Sequence, residues 1–216
     1  MKQTAELIVL AHTRFGENSI VLHTLSEEYG RRSFLVRVSS RTSMALFLPL
    51  NILQAEITEN PKSNLWTARN FVSLHPLNGL RNDLRKNTMA LFMSEVLYRV
   101  IKEEMNETDL EAWLKGQILL LDGLESDFSN FHLLFLLSLC SILGFSPEPA
   151  DLSPFAGEHF QTLEALVTKP LEEALLIPLT GQVRNETAES VLRYIEYHTE
   201  SAVRVRSLAV LREIFA

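Results

Sequence analysis

A chain of 216 residues that is 46% hydrophobic and 22% charged has the composition of a folded protein, which excludes a disordered, collagen-like or low-complexity one. That length makes one large domain or two small ones, with a substantial core in either case. Twenty basic and 27 acidic residues leave a net charge of −7, which over the whole chain argues against a nucleic-acid partner.

The first eighty residues read as strands. Glu6–His12, Ser19–Leu25 and Ser33–Val38 are short, rich in β-branched and aromatic residues, and separated by the turn sequences Gly16-Glu17-Asn18 and Glu28-Tyr29-Gly30. Leu50–Thr58 and Asn64–Ser73 follow, with Asn60-Pro61-Lys62-Ser63 as the hairpin loop between them. Five short antiparallel strands without a long helix predict a small closed barrel, which leaves no unpaired edge.

After Pro76 the period changes. Met89, Phe92, Met93, Val96, Val100 and Ile101 form one apolar stripe on a helix of roughly Asp83–Glu104. Thr108-Asp109-Leu110-Glu111 has capping-box spacing ahead of a second helix carrying Trp113, Leu114, Ile118 and Leu121. A third, Asn130–Leu143, is apolar nearly all round and reads as the centre of a bundle, ended by Gly144 with Pro147 beyond. Asp151–Gly181 contains Pro154, Pro170 and Pro178, so irregular chain with at most one or two short helices is expected. Helices near Asn185–Thr199 and Arg204–Phe215 close the sequence. The fold class is therefore α+β, with β first and all-α after: a barrel domain over 1–80 and an α-helical domain over 81–216.

Met1–Glu6 lacks the basic start and apolar stretch of a secretory signal, and the apolar run Phe131–Leu143 is 13 residues where a bilayer needs roughly 20. A cytoplasmic protein is expected. The single cysteine, Cys140, lies in that apolar run and reads as a buried hydrophobe.

Charge divides unevenly at the same boundary. Residues 1–82 hold nine basic and six acidic side chains, or +3, whereas 83–216 hold 11 and 21, or −10. Tyr29–Ala55 has four arginines and no acid, so positive charge gathers on the third strand and the loop after it. Strand alternation puts Arg31, Ser33, Leu35 and Arg37 on one face and Arg32, Phe34 and Val36 on the other, with Arg41 in the loop Ser39–Ser43. An ordinary solvated surface accounts for such arginines. A small barrel with an acid-free basic face also suits single-stranded nucleic acid, with Phe15, Tyr29, Phe34 and Phe47 as candidate stacking platforms.

Signatures of an enzyme are missing. The common phosphate-loop, dinucleotide, zinc-protease and nucleophile-elbow motifs do not occur. His12, His23, His75, His132, His159 and His198 are scattered, so capped, surface or core imidazoles are the default, and the cluster Glu103, Glu104, Glu107, Asp109 and Glu111 complements a helix start. No enzyme activity, metal, cofactor, small-molecule substrate or membrane contact is expected.

Val9-Leu10-Ala11-His12-Thr13-Arg14-Phe15-Gly16-Glu17-Asn18-Ser19, continuing through Leu25-Ser26-Glu27-Glu28-Tyr29-Gly30-Arg31, resembles the start of the recombination mediator RecO family. The likeness extends through Leu91–Arg99, Asn130–Leu133, Leu143-Gly144-Phe145-Ser146-Pro147 and Arg206-Ser207-Leu208, and is greatest to the shorter branch found in Bacteroidetes-type bacteria. The resemblance implies an amino-terminal OB-fold joined to an α-helical domain. It implies a DNA repair and recombination protein, cytoplasmic and nucleoid-associated, that binds and anneals single-stranded DNA, with double-stranded DNA as a second ligand. It also implies recognition of the tail of single-stranded-DNA-binding protein and action with RecR to load RecA. The family's DNA-binding face matches Arg31, Arg37 and Arg41 best, then Arg32, Arg14 and Lys62. Arg99, Lys102 and Lys115 are candidates for meeting the acidic protein tail. Many members carry four cysteines around zinc after the central helix; Asp151–Gly181 has none, so zinc is not expected, and Phe155, Phe160, Leu163 and Leu166 are the expected apolar anchors. The rival readings are a protein-interaction adaptor whose barrel does not bind DNA, and an unrecognised hydrolase or nuclease.

Overall fold

The computed structural model describes residues 2–63, 65–103 and 109–215. The chain folds into two compact units, one of 1–78 with 101–118 and one of 79–100 with 119–216.

The first unit is built on β1 (Lys2–Arg14), β2 (Ser19–Ser26), β3 (Gly30–Arg37), β4 (Ile52–Thr58) and β5 (Trp66–Ser73), closed into a barrel in the order β1-β2-β3-β5-β4. One long strand makes the closure possible. The first half of β1 pairs with β4, Lys2 opposite Thr58 to Ile8 opposite Ile52, and its second half pairs with β2, Ile8 opposite Leu25 to Arg14 opposite Ile20. A bulge between Val9 and Ala11 lies where the partner changes, and the added bend lets one strand serve two sides of a cylinder. Antiparallel pairing accounts for every seam but one: β3 and β5 run parallel and share only Phe34 with Trp66 and Leu35 with Thr67. Inside lie Leu7, Val9, Leu22, Phe34, Leu53 and Ile57, all fully buried. Each such side chain contributes about 1.5–3 kcal/mol by leaving water. A 3-10 turn at Met44–Phe47 plugs one end with Phe47.

The helical unit contains α1 (Asn78–Asn82), α2 (Leu84–Val100), the end of α3 (Leu110–Gly123), α4 (Phe131–Ile142), α5 (Pro149–Ala156), α6 (Phe160–Thr168), α7 (Leu171–Leu175), α8 (Gly181–Thr199) and α9 (Ser207–Ile214). α4 is central, packed by α2, α6, α7 and α8. Gly144 stops it at φ +87°, and the bonds from the Phe145 N–H to the Cys140 carbonyl and the Gly144 N–H to the Ser141 carbonyl make a Schellman close. Cys140 is buried and its thiol is pushed up to about 12 by desolvation, as befits a packing residue.

Three expectations need revision. Segment 151–181 is not irregular: α5 begins at Pro149 with Glu148 and Asp151 in a reciprocal capping box, and α6 and α7 follow. Pro149 and Pro170 lie where helices start, the positions that tolerate a missing N–H, so these prolines punctuate helices instead of preventing them. The helix expected over Asp83–Glu104 ends at Val100. α8 starts four residues early, because the Thr180 hydroxyl accepts the Val183 N–H as N-cap. Thr108 of the expected capping box, with Glu104 and Glu107 of the acidic cluster, lies outside the described residues.

Candidate nucleic-acid interface

Register decides which cations share a place on the barrel. Because β1, β2 and β3 run alternately, the end of β1, the start of β2 and the end of β3 lie at one rim; the pairing of Leu53 with Ser73 brings the end of β5 there too. Arg14, Arg37 and Arg41 therefore belong to one rim, and all three are exposed. Arg31 and Arg32, at the start of β3, and Lys62, between β4 and β5, lie toward the other. The six arginine and lysine candidates are two groups and not one stripe.

Arg31 and Arg32 also have work of their own. The Arg31 Nη1 donates to the Ile101 carbonyl, while the neighbouring Ser33 hydroxyl donates to Glu103 at 3.2 Å and meets His23 Nδ1 at 2.8 Å. Burial first, then the Arg31 charge, lowers the His23 pKa, so this imidazole stays neutral at pH 7. Arg32 lies over Trp66, its guanidinium carbon 4.0 Å from the ring centroid, and Tyr29 meets the same ring edge-on at 5.3 Å. Lys115, a candidate for the protein tail, is paired with Glu6 at 2.5 Å. Arg99 and Lys102 are exposed. Of the aromatic candidates, Phe34 and Phe47 are core residues, Tyr29 is half-buried, and Phe15 is exposed at the tip of the β1–β2 hairpin.

The free rim surrounds two depressions. One, of about 300 Å³, has Arg14, Asn18 and Ser40 in its wall. The larger, of about 620 Å³, opens where β3 and β5 part company. Its walls carry Arg37 and Leu35 from β3, Thr42 and Leu46 from the loop, and Arg69, Asn70 and Phe71 from β5. Sequence alone does not single out Arg69, Asn70 and Phe71, and their placement depends on a bulge. Between Gln54–Glu56 of β4 and Arg69–Val72 of β5 the register slips by one residue, with Asn70 at φ +56°. Glu56 holds that bulge: it accepts Arg69 Nε and Nη2 at 3.2 and 3.1 Å on one oxygen and Asn70 Nδ2 at 2.8 Å on the other. The only sequence signal is the Arg-Asn pair opposite a lone glutamate, legible only once the strand register is known.

No group of three or more histidine, cysteine or carboxylate side chains among the described residues is placed to hold a metal ion. The segment after the central helix is tied down otherwise. Asn130 Nδ2 donates to the carbonyls of Ala174, Leu175 and Ile177, its Oδ1 accepts from Arg184 Nε at 3.0 Å, and Arg184 Nη2 reaches the Leu179 carbonyl at 2.8 Å. Leu163 and Leu166 are buried there as expected, with Phe155 and Phe160 half-buried. Those residues do not fit a zinc ion. No helix among the described residues is long and apolar enough to cross a membrane.

Comparison with known proteins places both units. Residues 1–76 match the family model for the recombination protein O N terminal domain, and residues 81–151 match that for its C terminal domain. The DNA repair protein RecO of Bacteroides fragilis is 32% identical and that of Phocaeicola vulgatus 30%, each aligned over the whole of both chains. That of Flavobacterium johnsoniae is 27% identical over the same full extent. The barrel is the OB-fold of that family, and the chain belongs to the RecO family of DNA repair and recombination proteins.

Proposed function

We propose that this protein is a recombination mediator whose barrel binds DNA through the rim carrying Arg14, Arg37 and Arg41. In this reading it holds and anneals single strands, acts with RecR and the tail of single-stranded-DNA-binding protein to load RecA, and carries out no catalytic turnover. It works in the cytoplasm at the nucleoid. The observation that supports DNA binding most is the rim itself: Arg14 at the end of β1, and Arg37 and Arg41 at the end of β3 and in the loop after it, are all exposed beside a cleft lined by Arg37 and by Arg69, the latter paired with Glu56. Arg31 and Arg32 support the barrel in this reading and are not phosphate ligands. Arg99 and Lys102 remain candidates for the acidic protein tail, which Lys115, already paired, serves less well.

Titration of a labelled single strand against the full chain at several salt concentrations tests it. Three phosphate contacts predict a log–log slope of about −2, at roughly 0.7 per contact. Absence of saturable binding at low salt would instead identify a protein-interaction adaptor.

A further inference from the structure

We propose that the cleft between β3 and β5 takes an unstacked base of a single DNA strand, with the flanking phosphates on Arg37 and Arg41; this deepens the reading of the barrel as a DNA-binding domain and rests on it. The cleft exists because the barrel's one parallel seam is short. Beyond Leu35 and Thr67 no rung joins β3 to β5, so two strand edges face each other across a gap instead of a ladder. Main-chain donors and acceptors along such edges are the partners that the rim of a heterocyclic base requires. At about 620 Å³ the gap lies in the size range of small-molecule sites, which run from roughly 300 to 1,000 Å³.

Its walls have the three chemistries that an unpaired nucleotide presents. Phe71 is half-buried, fixed edge-on against the core ring of Phe47 with centroids 5.1 Å apart, so the surface it offers is rigid. Leu46 lines the same gap. Asn70 contributes an amide, held in place by the left-handed backbone of the bulge and by Glu56, and Thr42 and Thr67 contribute hydroxyls. At the mouth Arg37 supplies positive charge, with Arg41 exposed on the adjoining loop and Arg69 held by Glu56. Charge selects the occupant: Arg37 makes no ion pair among the described residues and suits an anionic strand, while the charge of Arg69 is already met by Glu56. Geometry selects its form. A duplex keeps its bases stacked and paired, so its rings cannot enter; only a strand free to rotate a base outward gains the contact with Phe71.

Three ligands test this on the full-length chain at one moderate salt concentration: a thymidine oligonucleotide, an abasic oligonucleotide with the same number of phosphates, and a duplex of equal length. The thymidine strand should bind at least about fivefold more tightly than the abasic one, the lower end of what stacking of one base on an aromatic ring contributes. The duplex should resemble the abasic strand per phosphate contacted. Phe71→Leu, which keeps apolar bulk, should bring the thymidine-to-abasic ratio toward one while leaving abasic affinity unchanged. Asn70→Gly, compatible with the positive φ, should lower the same ratio. Equal affinity of the native protein for thymidine and abasic strands overturns the base cleft while leaving DNA binding intact. Loss of both affinities by the same factor in Phe71→Leu also overturns it. If the native protein binds none of the three, the DNA reading itself fails.

Discussion

In the barrel unit Arg14, Arg37 and Arg41 end in solvent, and the buried polar side chains among the described residues are Thr24 and Ser26; in the helical unit Lys86 and Arg184 are drawn inside, 4% and 9% exposed, together with Asn130 and His132. The contrast follows from how each architecture disposes of backbone carbonyls. A closed barrel satisfies its strands laterally, so few acceptors are left for a side chain to serve. Every helix leaves its last four carbonyls without an intrahelical partner, and a cation there is doubly favoured, by hydrogen bonding and by the helix dipole. Lys86 Nζ accordingly donates to the carbonyls of Asp122 and Leu124 at the end of α3, while Arg184 reaches the Leu179 carbonyl in the connection between α7 and α8. The buried cations of the helical unit serve its architecture, whereas Arg14, Arg37 and Arg41 at the barrel rim are exposed.

Removing Asn130 breaks the helical side of this comparison most severely. Asn130→Ala strands Arg184 Nε and three carbonyls in the interior at once, and breaking a buried charged network of this kind costs about 3–5 kcal/mol. Thermal unfolding followed by circular dichroism should show the midpoint lower by roughly 6–20 °C, at about 2–4 °C per kcal/mol for a chain of this size. A loss below about 1 kcal/mol would mean that the cations inside are not holding the segment.

On the barrel side the matching experiment leaves stability alone. Arg37→Glu with Arg41→Glu changes two exposed residues that make no ion pair among the described residues. Affinity for a single strand should fall by roughly one to two orders of magnitude at about 0.1 M salt, and the salt slope should lose about 1.4. Unfolding should shift by less than about 0.5 kcal/mol. Arg31→Glu is the informative control: it breaks the bond to the Ile101 carbonyl, so stability should suffer where the rim pair does not.

How much of this could be read from the chain depends on the range of the interaction. The five strands and the central helix are legible because their period and turn residues are local. Alternation along β3 also places Phe34 and Val36 inside and Arg37 outside. The separation of Arg31 from Arg37 is not legible: two residues that share a strand face stand at opposite rims of the barrel, and what occupies Arg31 is a carbonyl 70 positions away. The cleft is hidden for a related reason, since it depends on a bulge at Asn70 and on the early end of the β3–β5 seam, neither of which has a composition. Prolines in 151–181 mislead because Pro170 caps a helix start, where a missing N–H costs nothing, and Pro154 is accommodated within α5.

His132 offers a subtler test of the buried side. Desolvation first, then the neighbouring Arg184 charge, lowers its pKa to about 3, so it is neutral in the folded protein at any ordinary pH. Unfolding restores the usual value of 6.5, and between about 3 and 6.5 the unfolded chain binds the additional proton. Stability from this residue is therefore complete above 6.5 and is lost as pH falls, with a slope of at most about 1.4 kcal/mol per pH unit. Comparing urea midpoints at about pH 7 and 5 keeps clear of most carboxylate titration. His132→Leu should flatten the change over that interval, whatever its stability at neutral pH. An unchanged pH dependence would show that the folded imidazole still takes up its proton.

The smallest effect sharpens the barrel side. Glu56 meets Arg69 with both side chains substantially exposed, at 38% and 53%, so the pair contributes about 0–1 kcal/mol to folding. Its larger consequence is for charge at the cleft, because a carboxylate already lies where a phosphate oxygen would approach Arg69. Glu56→Gln keeps an acceptor for Asn70 Nδ2 and removes the competing anion. Single-strand affinity should then rise by about two- to fivefold, with the salt slope steeper by about 0.7, while stability moves by less than about 1 kcal/mol. A steeper slope would make Arg69 a latent fourth phosphate contact that Glu56 holds in reserve. An unchanged slope would place Arg69 with Arg31 and Arg32, as a cation engaged by the barrel itself, and would leave the ligand to Arg14, Arg37 and Arg41.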